Sequence, residues 1–298
     1  MKTKVAILGS GNIGMDLLYK VLKSEVLEIG MLIGLNSDSP RLQTASEMGI
    51  PVSSEGIDAL ISNPEAAEIV FDATTAKAHL VHAGILKSLG KKTIDLTPAA
   101  VGLKVVPAVN LKEGTESDNV NLISCGGQAV LGLVWAVNNV VPVEYAECVN
   151  VSASKAIGMG TRDNIDEYTT ETSEALVSVA GAKKGKAIIV INPAEPPITM
   201  HNTVYMLTDS LTEEKAEQIT SAVNDIVEYT KSYIPGYIMT APPQFDFSRN
   251  LITVMAEIEG AGDYLPKYSG NLDIITQAAI KVAEGMALNK KAAEAADA

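Results

Sequence analysis

The first half of the chain alternates short strand-like runs of residues with stretches of helical spacing. Runs of extended character begin at Val5, Met31, Ile69 and Thr93, and helical periodicity follows the first and third of them, over residues 16–24 and 76–89. Strands that alternate with helices are typical of a parallel sheet. We therefore predict an α/β fold whose first domain is a Rossmann-type, doubly wound parallel sheet.

The pattern changes after Pro142. Longer extended runs and helical spacing over residues 211–234 indicate a second α/β domain. The predicted organisation is a first domain over residues 1–125, a second over 126–270, a helix at about 271–288 that packs back on the first domain, and an Ala-rich, frayed tail over 289–298. The extended runs of the second domain cover residues 144–154, 186–191, 199–207 and 251–258.

A glycine-rich segment, Gly9-Ser10-Gly11-Asn12-Ile13-Gly14, lies between the first strand and the first helix. In this context G-x-G-x-x-G is typical of dinucleotide binding, because glycines let the backbone approach a pyrophosphate at the helix N-terminus. The alternative is a glycine-rich turn that binds nothing. Asn36 stands where the second strand usually ends in a ribose-binding acid. NAD remains favoured, but a 2′-phosphate would meet less repulsion than usual, and Arg41 is a possible partner for it.

Cys125 is the candidate nucleophile. The apolar run before it predicts a short strand, and the two glycines after it precede a buried helix over residues 129–140. A thiol at a helix N-terminus is close to the positive end of the helix dipole and to free N–H groups, which favour the thiolate and can hold an oxyanion. The alternative is an inert, buried thiol.

Composition narrows the classes of function. With 298 residues, 47% of them hydrophobic, the chain can bury a large core, and its formal net charge of −13 argues against nucleic acid or an anionic membrane as partner. The two cysteines, Cys125 and Cys148, form no C-x-x-C motif and no Cys/His cluster at metal-ligand spacing. The sequence therefore argues against a disulfide framework and against a structural zinc site. Without a signal-like segment or a long apolar run, the sequence predicts a soluble cytoplasmic protein.

Other polar residues are weaker candidates. The carboxyl ends of parallel strands meet at one edge, so we expect Thr74, Thr75 and Pro98 on the same rim as Cys125. The loop over residues 158–162 has the glycines, hydroxyl and cation that suit a cofactor, although a plain connection explains it equally well. His79 and His82 are interpreted as ordinary surface residues.

Several blocks in order along the chain resemble the acylating acetaldehyde dehydrogenases that work with a 4-hydroxy-2-oxovalerate aldolase in bacterial aromatic meta-cleavage pathways. They span nearly the whole chain and are far more specific than a dinucleotide fingerprint. The blocks are the fingerprint itself, Ile94-Asp95-Leu96-Thr97-Pro98-Ala99-Ala100, Cys125-Gly126-Gly127-Gln128-Ala129, Ser152-Ala153-Ser154-Lys155, and the segments over residues 160–167, 185–197 and 265–273.

The resemblance implies an architecture similar to glyceraldehyde-3-phosphate dehydrogenase, with an α/β catalytic and dimerisation domain. It implies NAD as cofactor, coenzyme A as cosubstrate, a short aldehyde as substrate, a homodimer and a complex with the aldolase. It places the acyl-carrying thiol on Cys125. It places nucleotide contacts on Ser10, Gly11, Asn12, Ile13, Ala156, Ile157, Gly158, Met159, Gly160, Thr161, Arg162, Asp163, Asn164 and Asn271.

The chain departs from the family pattern in three places. The segment after Ala129 is Val130-Leu131-Gly132, with Trp135 close behind, where the family usually has a threonine and a proline. Asn202 aligns with a usual aspartate, and the neighbouring His201 is a candidate base in its place. Asn36 is the third departure. These changes affect the expected aldehyde length, rate and cofactor choice more than the reaction type.

Two alternatives stay open. One is a phosphorylating semialdehyde dehydrogenase or acyl-phosphate reductase of the same architecture, which would need an anion site and a well-placed histidine. The other is a non-catalytic subunit that stabilises an aldolase. Replacing Cys125 by serine separates this second alternative from an enzyme.

Overall fold

The computed structural model describes residues 2–158, 162 and 164–296. Its strands are β1 Thr3–Leu8, β2 Leu27–Ile33, β3 Val52–Ser53, β4 Ile69–Asp72, β5 Lys92–Asp95, β6 Leu103–Lys104, β7 Asn119–Asn121, β8 Val143–Ala153, β9 Gly185–Asn192, β10 Met200–Thr208, β11 Tyr237–Met239, β12 Gln244–Asp246 and β13 Leu251–Ile258. Its α-helices are α1 Asn12–Lys23, α2 Pro40–Glu47, α3 Asp58–Ser62, α4 Ala76–Ser88, α5 Pro107–Glu116, α6 Cys125–Asn138, α7 Ile165–Ser178, α8 Glu213–Lys231 and α9 Gly270–Ala296.

These elements divide into two units. Unit 1 takes in the described residues of Met1–Val105, Asn110–Leu122 and Thr276–Ala298, and unit 2 those of Val106–Val109 and Ile123–Ile275. One boundary between the units lies between Leu122 and Ile123, close to Cys125, and another lies within α9, between Ile275 and Thr276. The sequence-based boundaries at residues 125 and 270 remain a proposal for where two independent domains would begin and end.

Unit 1 is built on a parallel sheet with strand order β3-β2-β1-β4-β5-β7-β6. The central strand β1 is buried on both faces, with Val5, Ala6 and Ile7 fully inaccessible, which explains its continuous apolar run. The strand order reverses between β1 and β4, and parallel sheets bind ligands at the carboxyl edge of such a switch point. This confirms the predicted α/β class and the parallel sheet.

Helix α9 belongs to unit 1 from Thr276 onward, and polar contacts hold it there. The Thr276 hydroxyl donates to the buried Asp16 carboxylate at 2.5 Å, and the same carboxylate pairs with the buried Lys20 ammonium at 2.5 Å. The sequence predicts a frayed tail from residue 289, whereas α9 continues to Ala296. At the start of this stretch the Asn289 amide donates to the Thr115 hydroxyl at 2.7 Å.

Unit 2 is built on a mixed sheet with the order β11-β13-β10-β8-β9, and β12 pairs with β13. Side chains alternate between a buried face and a half-exposed face along β8, β10 and β13. Helix α6 packs on the buried face and is apolar almost all round. Among the described residues, we find no helix whose length and apolar character would let it cross a membrane.

The helix α6 starts four residues earlier than the periodicity predicts, at Cys125 rather than Ala129. Glycine has a low helix propensity, so Gly126 and Gly127 interrupt the helical pattern of the sequence over the first turn. The consequence is that the thiol lies within the helix, in its first turn.

Candidate active site

The fingerprint of unit 1 forms an open helix N-terminus. Gly9 adopts φ +106°, and a side chain there would collide with the backbone of Ala73 after β4. Gly11 is the N-cap of α1, no described side chain caps that end, and nothing lies within 4 Å of where a Cβ of Gly11 would be. Uncapped N–H groups beside open space are what a pyrophosphate needs. Ser10, Gly11, Asn12 and Ile13 lie at this helix start, and their contact with a dinucleotide stays a prediction.

The loop that follows β2 carries Asn36, a polar and uncharged residue. Asn36 is exposed, and its side-chain oxygen accepts from the backbone N–H of Asp38 at 2.9 Å. The Arg41 guanidinium donates to the Asn12 side chain at 2.7 Å, which places a cation over the fingerprint. This end of the fingerprint therefore carries both a polar side chain, Asn36, and a nearby cation, Arg41.

The thiol of Cys125 lies in unit 2, half-buried in the first turn of α6. Ser124 caps this helix, and its hydroxyl accepts from the Gly127 N–H at 2.9 Å. Ile123, directly before the cap, has φ +65°. For a β-branched residue this conformation costs on the order of 1–3 kcal/mol, and such strain concentrates at functional sites.

The Tyr168 side chain of α7 makes a hydrogen-bond contact with the thiol. Its hydroxyl lies 3.5 Å from the Cys125 sulfur and accepts from the Gly126 N–H at 2.9 Å. A Cβ on Gly126 would overlap both this hydroxyl and the Asn150 amide oxygen. Glycine at position 126 is therefore required by the close approach of two polar side chains.

A second set of hydroxyls joins α7 to the cap of α6. The Thr172 hydroxyl donates to the Tyr168 carbonyl at 2.7 Å, so its oxygen is left to accept from the Ser124 hydroxyl, 2.6 Å away. Both hydroxyls are buried. Tyr168 is thus held through its backbone as well as through its phenol group.

Burial raises the pKa of the Cys125 thiol above its ordinary value, and hydrogen bonds from Tyr168 and the Gly126 backbone act in the opposite direction. The expectation of a lowered thiol pKa is therefore wrong for the protein alone. The helix N-terminus is present as predicted, but the loss of hydration outweighs it.

The buried face of the sheet behind the thiol carries two amides. The Asn150 side chain donates to the Asn202 side-chain oxygen at 2.7 Å, and the Asn202 NH₂ group is buried without a partner in the described part of the chain. His201, the candidate substitute base, lies on the opposite face, exposed and 3.8 Å from the Glu257 carboxylate. That candidate is wrong, because adjacent residues of a strand point to opposite faces.

The segment after β8 brings some predicted nucleotide contacts together. The Asn271 NH₂ group donates to the Ala156 carbonyl at 3.1 Å, while its amide oxygen is buried without a partner among the described residues. Arg162 folds back to donate to the carbonyls of Ile157 and Ser154. Gly158 and Asn164 lie beside this turn, and Met159, Gly160, Thr161 and Asp163 fall outside the described residues.

The interpretation of His79 and His82 as surface residues is wrong for His79, which is fully buried in unit 1. Its Nδ1 lies 2.9 Å from the Asp72 carboxylate, and its Nε2 lies 3.5 Å from that of Asp95. His82, mostly buried, binds the same Asp72 oxygen at 2.8 Å. This buried network joins the carboxyl ends of β4 and β5.

The charges of the network shift its pKa values in different directions. Hydrogen bonds from both histidines and from Thr74 hold the pKa of Asp72 far below its usual range, although burial opposes them. The paired carboxylates raise the pKa of His79 against the effect of burial. Burial raises the pKa of Asp95 to about 6, even though His79 lowers it.

Sequence reasoning missed Tyr168, Thr172 and this carboxylate–histidine network. A signal for the first two was present, because hydroxyls four residues apart share one helix face with the buried Ala175 and Leu176. The network had no comparable signal, since its members come from separate strands and a helix.

Comparison with known proteins gives consistent matches. Residues 125–266 match the family model described as prokaryotic acetaldehyde dehydrogenase, dimerisation. An acetaldehyde dehydrogenase of Geobacillus stearothermophilus is 54% identical over 297 residues, covering 99% of each chain. One from Thermus thermophilus is 50% identical over 290 residues, covering 95% of this chain and 94% of the relative.

Among solved structures, the crystal structure of aspartate semialdehyde dehydrogenase II from Vibrio cholerae, complexed with ASA, matches with a TM-score of 0.64. The match covers 96% of this chain and 98% of the other, at 14% identity. At that identity the likeness concerns the fold, and it agrees with the predicted two-domain α/β architecture.

Proposed function

This chain belongs to the acetaldehyde dehydrogenase family of oxidoreductases, and on that premise we propose that it oxidises acetaldehyde or another short aldehyde to an acyl-coenzyme A, with NAD as the hydride acceptor. The observation that carries the proposal is the thiol of Cys125 in the first turn of α6, beside a strained residue and hydrogen-bonded to Tyr168.

The chemistry follows from what surrounds the sulfur. The Cys125 thiolate adds to the aldehyde carbon, and an oxyanion forms. The Gly126 and Gly127 N–H groups already donate to Tyr168 and Ser124, so we propose that the Cys125 N–H at the start of α6 donates to this oxyanion. Bound NAD would accept the hydride, which leaves an acyl group on the sulfur as a thioester. The thiolate of coenzyme A then attacks this carbonyl, and Cys125 leaves as the thiolate. Because the two thioesters are close in energy, the transfer requires no strong general base.

The residues present fit NAD. An uncapped helix start with Gly9 and Gly11 suits the pyrophosphate, and the polar loop at Asn36 suits the adenosine ribose. We propose that Ser10, Gly11, Asn12 and Ile13 bind the pyrophosphate. The segment with Ala156, Ile157, Gly158, Arg162, Asn164 and Asn271 is proposed to contact the nucleotide, together with Met159, Gly160, Thr161 and Asp163.

The half-exposed face of the unit 2 sheet supports a homodimer. Strand alternation places a row of apolar side chains on this face, opposite α6. Exposed apolar patches of this kind are typical of subunit interfaces. We propose that a second copy covers Val149, Val151, Ile188, Val190, Tyr205, Leu207 and Met255. A complex with a 4-hydroxy-2-oxovalerate aldolase, supplying the aldehyde in the cytoplasm, is part of the same proposal.

The test is NADH formation with NAD, coenzyme A and linear aldehydes of one to five carbons. We expect activity that depends on coenzyme A and disappears in Cys125→Ser. Activity that requires phosphate in place of coenzyme A would favour the phosphorylating alternative. Lack of activity with every aldehyde, together with unchanged aldolase binding by Cys125→Ser, would favour the non-catalytic subunit.

A further inference from the structure

We propose that Tyr168 is a catalytic residue, whose hydroxyl donates a hydrogen bond to the Cys125 sulfur and stabilises the thiolate when it forms and when it leaves the acyl group. The inference rests on the proposed function for its role in turnover. Its central claim concerns only the ionisation of the thiol.

The direction of the hydrogen bonds follows from the donors available. A phenol has one proton, and the Gly126 N–H already donates to the Tyr168 oxygen at 2.9 Å. The phenol proton is therefore free to point at the sulfur, 3.5 Å away. Once Cys125 is a thiolate it can only accept, so Tyr168 must be the donor of this bond.

Tyr168 is suited to keep its proton. Burial and the neighbouring Cys125 raise the pKa of Tyr168 well above its ordinary value. This shift favours the neutral phenol, which keeps the proton needed to donate a hydrogen bond. The thiol proton goes to solvent, and Tyr168 stabilises the sulfur charge without taking or losing a proton.

The position of Tyr168 is fixed at both ends. Its carbonyl accepts from the buried Thr172 hydroxyl, which also contacts the Ser124 cap of α6. A side chain held in this way loses little conformational entropy when the thiolate forms, so a larger part of the hydrogen-bond energy stabilises the sulfur charge.

The neighbouring amides supply no charge to the thiol. Asn202 and Asn150 are neutral, and the histidine next to Asn202 lies on the other face of the sheet. The described contacts of Cys125 therefore supply no charged base. A neutral donor that lowers the cost of the thiolate performs part of that task.

The test is the pH dependence of Cys125 alkylation by iodoacetamide in Tyr168→Phe, with the labelled peptide identified by mass spectrometry. Hydrogen bonds to a charged group are worth enough to shift a pKa by roughly one unit or more. We expect the alkylation midpoint to rise by about one unit, with rates about tenfold lower below it and equal to wild type at high pH. Cys148 is fully buried and serves as the unreactive reference.

The matched control is Tyr237→Phe. The Tyr237 hydroxyl is also buried and also bonds α6, at the Ala129 carbonyl, 2.7 Å away. Its loss should leave the alkylation midpoint unchanged. If Tyr168→Phe does not fold, 3-fluorotyrosine at position 168 provides a stronger donor and should lower the midpoint instead.

An unchanged midpoint in Tyr168→Phe, or a rate lowered equally at every pH, would overturn the proposal, because either result assigns Tyr168 a role in packing or access. The assay needs no aldehyde, NAD or coenzyme A. It can therefore fail while coenzyme-A-dependent NADH formation by the wild type stands, and the reverse also holds.

Discussion

Replacing His79 by glutamine removes the imidazole that lies between the buried carboxylates of Asp72 and Asp95, which raise its pKa and so favour its charged form. All three side chains are fully buried, with His79 Nδ1 2.9 Å from Asp72 and Nε2 3.5 Å from Asp95. Removing one partner of a buried ion pair costs about 3–5 kcal/mol. Glutamine keeps a donor but not the charge, so we expect about 3 kcal/mol, a large share of the stability of a typical domain.

The measurement is peptide-resolved hydrogen exchange in β4 and β5, which reports opening of this unit without assuming that the whole chain unfolds in one step. A loss of about 3 kcal/mol corresponds to exchange about 150-fold faster in these strands. His82→Gln is the control, because His82 binds the same Asp72 oxygen but is partly accessible to water. We expect about 1 kcal/mol from that change, or roughly fivefold.

The comparison of the two variants tests whether the charge at His79 stabilises unit 1. Equal acceleration by His79→Gln and His82→Gln would refute the reasoning, because it would show that the charge between the carboxylates carries no special weight. A third variant tests the cause: adding Asp95→Asn to His79→Gln removes the unpaired carboxylate. We expect the double variant to exchange more slowly than His79→Gln alone.

Three further predictions concern pH, packing and assembly. The pKa of Asp95 lies at about 6 when folded and 3.8 in its ordinary state, so its contribution to stability is lost as pH rises between those values. The stability of wild type relative to Asp95→Asn should fall by about 1 kcal/mol between pH 5 and pH 6 in urea titrations. In Gly126→Ala the new methyl group would overlap the Asn150 amide and the Tyr168 phenol, so we expect the free energy of unfolding, measured by thermal unfolding, to fall by about 1–3 kcal/mol. Gly84→Ala, open to solvent in α4, should instead raise it by about 0.5–1 kcal/mol. Val151→Asp, on the half-exposed face of the unit 2 sheet, should give a monomer in sedimentation velocity. The control Leu80→Asp, at an exposed position of unit 1, should leave the dimer intact. A dimeric Val151→Asp would place the interface elsewhere.

The fold was predictable where local pattern and tertiary structure agree. The strand at Val5 and the helix after Gly14 carry their own hydrophobic periodicity, and the glycines between them have one physical explanation in that order. The strand alternation around His201 and Asn202 was equally visible in the sequence. Because adjacent residues of a strand cannot share a face, this alternation argues against His201 as a substitute for the aspartate.

The surroundings of the thiol were not predictable in the same way. Tyr168 is 43 residues from Cys125 along the chain, and its contact depends on α7 packing against the start of α6. The thiol pKa was misjudged for a related reason. Proximity to a helix N-terminus is a local property, whereas burial depends on everything packed around the sulfur, and here burial is the larger effect.

The His79 network is connected to the backbone turn that packs against the glycine fingerprint. Asp72 ends β4, directly before the Ala73 backbone against which Gly9 of the fingerprint packs. The Thr74 N–H and hydroxyl both donate to the Asp72 carboxylate, at 3.1 and 2.5 Å, so the carboxylate fixes this turn. Removing the charge of His79 would therefore loosen the backbone that sets the shape of the pyrophosphate site. We expect His79→Gln to weaken NAD binding in calorimetry at temperatures where it remains folded, and His82→Gln to leave it nearly unchanged; equal affinities would separate the network's role in stability from any role in the nucleotide site.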